Sequence, residues 1–129
     1  MAGRFLLDTN IVIALFARDP GVLRQLAEAE EVFVPSIVLG ELHYGARKSA
    51  QVAANERRID ELAARCSVLA CDGETARRYG EAKNLLRAKG RPLPENDIWV
   101  AAVALQHGLA LATRDAHFNE IASLTVVPW

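Results

Sequence analysis

Apolar residues in this chain fall into two kinds of run. Short runs bounded by charge or turn signals occur at Phe5–Leu7, Val32–Pro35, Ser67–Ala70, Leu109–Thr113 and Thr125–Val127, and these predict strands. Between them lie longer segments of Ala, Leu, Glu and Arg that predict helices. Gln51–Arg65 and Glu74–Lys89 show this most clearly, each with an apolar stripe opposite a charged one. Asp72 is placed to cap the second of these, Gly90 to end it, and Gly108 to end a helix over Trp99–His107. Strand and helix alternate throughout, which predicts a mostly parallel sheet of about five short strands flanked by helices. No repeat, linker or low-complexity stretch divides residues 1–129, so a single domain is expected.

Composition narrows the picture only a little. A chain of 129 residues buries roughly two thirds of its unfolded surface. With 51% apolar and 24% charged residues it is globular and not disordered. No apolar run reaches the ~18 residues of a membrane span, and the N-terminus lacks a cleavable signal pattern. Cys66 and Cys71 match no standard zinc or redox spacing and read as reduced thiols, which points to the cytoplasm, with a disulfide as the alternative. A net charge of −1 gives no global signal for nucleic acid, so any such binding needs a local basic face.

The chemistry lies in four carboxylates. Asp8 interrupts the apolar run RFLLDTNIVIALF just after the first strand. Glu41 lies in SIVLGELHYG, about one and a half turns into the helix after the second strand if Ser36 is its N-cap. Asp97 lies in PENDIWVAAVAL, in the first turn of an apolar helix, and Asp115 lies in LALATRDAHF, past the end of the fourth strand. In an open parallel sheet all four map to the edge formed by the carboxyl ends of the strands, where ligands bind. Taken singly, Asp8 and Asp115 read as helix caps and Asp97 as an acid answering the helix dipole. Taken together, four carboxylates in one place need a cation, because some would otherwise have to stay protonated. Oxygen donors suit Mg²⁺ or Mn²⁺, and no His/Cys cluster is apparent that would select a softer metal. Thr9, Asn10 and Thr113 are placed to orient the carboxylates.

These segments resemble the VapC-like toxins of the PIN-domain superfamily. LLDTNIVIALF is similar to the opening strand and acidic motif, SIVLGELHYGARKS to the segment carrying the glutamate, and PENDIWVAAVALQHGLALATRDAHF to the stretch carrying the second and third aspartates. The ending LTVVPW resembles the final strand with its terminal aromatic, so the resemblance spans the whole chain in order. Before Asp97 the chain departs from the pattern, with Leu93-Pro-Glu-Asn96 in place of a glycine-containing turn. The resemblance implies a PIN-like α/β/α sandwich and metal-binding, catalytic roles for Asp8, Glu41, Asp97 and Asp115. It also implies a Mg²⁺- or Mn²⁺-dependent endoribonuclease, the toxin of a type II toxin–antitoxin pair. Hydrolysis by a metal-activated water would leave 5′-phosphate and 3′-hydroxyl ends. A homodimer and a small antitoxin that occludes the site are implied as well.

An acidic site must still attract a polyanion. Arg77, Arg78, Lys83, Arg87, Lys89 and Arg91 cluster on or after one helix, and Arg47 and Lys48 follow Glu41. Arg47, Lys48, Arg91, Arg114 and His117 are the candidates for substrate contact, with His43 and His107 reading as surface or helix residues. Leu15, Phe16, Val22 and Leu26 could form an exposed patch for a partner or belong to the core.

Three other functions compete. A phosphatase-like hydrolase would use Asp8 as phosphoryl acceptor but wants an acid where Asn10 stands. A nucleotide-binding module would use Gly40–Gly45 as a phosphate loop, yet Ala46-Arg47 stands where Lys-Ser/Thr is needed. A PIN fold kept only for protein binding would be expected to have lost an acid, and all four are present.

Overall fold

A computed structural model describes residues 3–129. The order of elements is β1 (Arg4–Leu7), α1 (Thr9–Phe16), α2 (Pro20–Glu28), β2 (Glu31–Pro35), α3 (Ser36–Arg47), α4 (Val52–Arg65), β3 (Ser67–Leu69), α5 (Gly73–Lys89), α6 (Glu95–His107), β4 (Ala110–Ala112), a 3₁₀ turn (Ala116–Glu120) and β5 (Val126–Val127). The five strands form one sheet in the order β3-β2-β1-β4-β5. Every pairing is parallel, with Phe5 opposite both Val32 and Ala110. Six helices flank it, giving the expected α/β/α sandwich.

β1 is the central strand, which explains why Leu6 and Leu7 are fully buried and read as a continuous apolar run rather than an alternating one. α6 shows the same logic for a helix: Ile98 and Val100–Ala104 are all buried, so it lies against the sheet without a solvated stripe in that stretch. α5 packs along α6, with the Tyr79 ring stacked on Trp99 at 4.0 Å between centroids. The α5 start follows the sequence closely. Asp72 accepts from the Glu74 and Thr75 N–H groups, and the Thr75 hydroxyl accepts from the Asp72 N–H in return, a reciprocal cap. Gly90 and Gly108 end α5 and α6 at φ 68° and 63°, the left-handed region that a Cβ disfavours.

Several expectations change in detail. Ser36 is not a cap: β2 runs directly into α3, Ser36 is its first residue, and Pro35 before it offers no side-chain hydrogen bond. α6 begins at Glu95, one turn earlier than Trp99, because Pro94 presets the entry. Val22 is fully buried and Leu15, Phe16 and Leu26 pack partly buried against the core, so that patch is largely interior. Among the described residues, the large apolar side chains that do face solvent are Ile13, Tyr44, Val68 and Leu85. Cys66 and Cys71 are both free thiols. Among the described residues, no helix is long and apolar enough to cross a membrane.

Candidate metal centre

The site starts from the alignment of two strand ends. The Asp8 N–H donates to the Ala112 carbonyl at 3.0 Å, and the Thr113 N–H to the Val127 carbonyl at 3.0 Å, so Asp8 and Thr113 emerge side by side from β1 and β4. Asp8 is only 5% exposed. A buried carboxylate needs donors, and Asp8 has three. Its Oδ1 accepts from the Thr9 N–H at 2.8 Å as the cap of α1. Its Oδ2 accepts from the Thr113 hydroxyl at 2.8 Å and from Asn10 Nδ2 at 3.2 Å. The cap reading and the site reading of Asp8 are thus both realised by one side chain.

Thr113 is the hub. Its hydroxyl donates to Asp8 and accepts from Asn10 Nδ2 at 3.1 Å and from the Asp115 N–H at 3.1 Å, which fills the donor and acceptor capacity of one hydroxyl. Asn10 spans the same edge, its Oδ1 accepting from the Arg114 N–H at 3.0 Å. Asn10 is therefore a clamp between two strand ends, a role that a carboxylate could not fill, since it has no N–H to donate.

The other carboxylates converge from three further elements. Glu41, on α3, accepts from the Thr9 hydroxyl at 3.1 Å. Asp97, in the first turn of α6, receives His117 Nε2 at 2.9 Å on its Oδ2. Asp115 caps the 3₁₀ turn through the His117 N–H at 3.3 Å, and His117 Nδ1 lies 2.9 Å from the same Oδ1. Burial pushes the Glu41 carboxyl above its ordinary value, and the charges of Asp8 and Asp97 push further against a hydrogen bond from Thr9. Burial likewise raises Asp97, with Asp8 and Asp115 adding repulsion and His117 opposing it. The four acids predicted from sequence therefore share one electrostatic site. Ligand atoms of Asp97, Asp115 and His117 lie within 4.8 Å of one another. Hard oxygen donors that repel one another when bare are the donor set a divalent cation requires, so the residues fit Mg²⁺ or Mn²⁺.

The candidate substrate residues are placed more variously. Arg91 is exposed on the loop between α5 and α6. Arg47 pairs with Glu56 at 3.4 Å, while Lys48, just past α3, sits 4.5 Å from the Tyr44 ring. Arg114 is a tether: its Nε donates to the Trp129 carbonyl at 2.6 Å and its Nη2 meets Asp19 Oδ2 at 3.0 Å. Of the α5 cluster, Arg77 and Arg78 meet Glu74, Lys83 meets Glu95 and Lys89 meets Glu120. His43 is engaged by Glu56. Asp19 was not singled out in the sequence, although Asp before Pro-Gly is a helix-start signature. It caps α2 and is held below the ordinary carboxylate range by the Val22 N–H and then by Arg114. Beside Thr9 and Glu41 a groove of about 520 Å³ is walled by Ile13, Phe16, Leu42 and Ile59.

The profile of the PIN-domain family matches residues 5–124. The chain belongs to the PIN-domain family. Within it, the chain is similar over its whole length to VapC proteins: it is 33% identical over 129 residues to ribonuclease VapC2 of Haemophilus influenzae, covering 98% of each. It is 30% identical over 129 residues to the tRNA(fMet)-specific endonuclease VapC of Shigella flexneri, again covering 98% of each. Among solved structures it superposes on VapBC2 of Rickettsia felis bound to a promoter DNA fragment, with TM-score 0.89, 28% identity and 98% of each chain covered. VapBC-1 of nontypeable H. influenzae gives TM-score 0.90 at 29% identity with the same coverage. The fold and the family agree with the expectation from the residues.

Proposed function

We propose that this chain is a divalent-metal-dependent endoribonuclease and the toxin of a toxin–antitoxin pair. One observation carries the reading: carboxylates from four separate segments, Asp8, Glu41, Asp97 and Asp115, crowd one sheet edge, where burial and mutual repulsion raise two of them. Mg²⁺ or Mn²⁺ held by these acids would polarise an RNA phosphodiester and activate water for its hydrolysis. The chain's own part is positioning. Thr113 and Asn10 fix both the rotamer of Asp8 and the spacing of the two strand ends, and Thr9 orients Glu41. Bare acids repel a phosphate, so Arg91, Lys48 and Arg47 would be needed to hold the RNA backbone while the site binds its scissile group.

The antitoxin follows from the relatives solved as VapBC assemblies. The groove walled by Ile13, Phe16, Leu42 and Ile59 opens beside Glu41, so an apolar segment lying in it would shut the site. A homodimer and a cytoplasmic location complete the proposal. The test is cleavage of total bacterial RNA, with tRNA as the first pool to map. Activity that requires Mg²⁺ or Mn²⁺, disappears with chelator and with Asp97→Asn, and leaves 5′-phosphate ends supports it. Equal activity in the Asp97→Asn protein, or 2′,3′-cyclic phosphate ends, would refute it.

A further inference from the structure

We propose that His117 is a nitrogen ligand of the cation in this site, its Nε2 joining Asp97 and Asp115, and that this makes the site favour Mn²⁺ over Mg²⁺. The inference rests on the metal-dependent reading above and adds a ligand and a metal preference to it.

The geometry separates the two ring nitrogens. Asp115 Oδ1 takes both the His117 N–H at 3.3 Å and His117 Nδ1 at 2.9 Å, so backbone and ring are clamped to one oxygen. The neighbouring Phe118 is fully buried and its ring centroid lies 4.9 Å from that of His117, which anchors the short 3₁₀ turn carrying the imidazole. Nε2 then points away from its own segment, across to Asp97 Oδ2 on α6 at 2.9 Å. A ligating histidine generally gives its second ring nitrogen to a carboxylate, which fixes the ring and strengthens the ligand. Asp115 already serves that purpose here.

One donor each from Asp97, Asp115 and His117 lie within 4.8 Å of one another, close enough to share one ion. A cation held there would be ligated by Nε2 in place of its contact with Asp97 Oδ2. An imidazole among carboxylates shifts metal preference, because Mg²⁺ favours an all-oxygen shell while first-row transition ions accept nitrogen readily.

The experiment loads the purified full chain with Mn²⁺ and reads nitrogen coupling by pulsed EPR, using protein labelled with ¹⁵N at histidine. Coupling in wild type, lost in His117→Ala and in His117→Gln, is the expected result. Calorimetric titration with Mn²⁺ and Mg²⁺ should show the Mn²⁺ preference falling about tenfold in both variants. Mn²⁺ binding that depends on Asp97, tested with Asp97→Asn, but shows no nitrogen coupling overturns the inference and leaves the acidic site standing. Mn²⁺ binding equally tight in Asp97→Asn overturns both.

Discussion

The Thr113 hydroxyl sits 2.8 Å from Asp8 Oδ2, bridging the ends of two adjacent strands that are far apart in sequence. Because Thr113 also accepts from Asn10 and from the Asp115 N–H, its loss strands three partners at once. Thr113→Val, a near-isostere without the hydroxyl, should lower stability by about 1–3 kcal/mol. RNA cleavage should fall with it, while Thr113→Ser keeps most of both. Urea unfolding midpoints alongside cleavage rates decide this, and an unchanged midpoint in Thr113→Val would remove Thr113 from its place as hub.

The raised carboxyls set a pH dependence whose sign is fixed. Without a cation, folded Glu41 and Asp97 hold protons more tightly than in the unfolded chain. Their contribution to stability is therefore full below the ordinary carboxylate range and is lost as pH rises through their raised values. In chelator, Asp97→Asn and Glu41→Gln should be more stable than wild type near neutral pH, and the difference should shrink toward about pH 4. Asp19 and Asp72, which are held low, act in the opposite direction in all three proteins and cancel in the comparison. Thermal melts across that range supply the test.

Cation binding should reverse that penalty. Mn²⁺ or Mg²⁺ is expected to raise the melting temperature of wild type near neutral pH, with a smaller effect at low pH where the acids are protonated. Asp97→Asn should show little of this response. A metal-induced rise that is the same in both proteins at both pH values would place the ion elsewhere.

Arg114 ties the carbonyl of Trp129 to Asp19, the cap of α2, by a fork that lysine cannot reproduce. Because the ion pair is partly solvated, Arg114→Lys should cost about 1 kcal/mol or less. The loss should concentrate in faster amide exchange of Thr113, whose N–H pairs with Val127 in β5. Hydrogen exchange read residue by residue would show it.

Ile13 is 56% exposed on the wall of the groove beside Glu41. Ile13→Glu should leave the stability within about 0.5 kcal/mol of wild type, as a surface change does. It should nonetheless weaken capture of the cognate antitoxin sharply. Unaltered affinity would move the partner off this groove.

Much of the site was legible because strand ends and helix starts can be read from local pattern. Asp8 after an apolar run, Asp97 after a proline turn and Asp115 past β4 are each placed by neighbours within a few residues. A parallel sheet then brings those places together. What local pattern does not carry is side-chain direction. That His117 turns both nitrogens inward depends on a 3₁₀ turn that has no sequence period of its own. That Arg114 faces Asp19 depends on the α1–α2 connection, where Arg18 adopts φ 60°. The Ser36 cap failed for a related reason: β2 passes into α3 with no intervening loop in which a cap could sit.

The placement of β1 between β2 and β4 has a consequence for how the protein comes into being on the ribosome. A nascent chain that has released β1 through β3 can pair β1 with β2, yet it holds only Asp8 and Glu41 of the four acids. Asp97, Asp115 and Thr113 all lie in the final third, and β4 pairs with β1 where the Thr113 hydroxyl meets Asp8. If the four acids form one metal site as proposed, a chain terminated before Thr113, which lacks Asp115 and the hydroxyl that holds Asp8, should not cleave RNA.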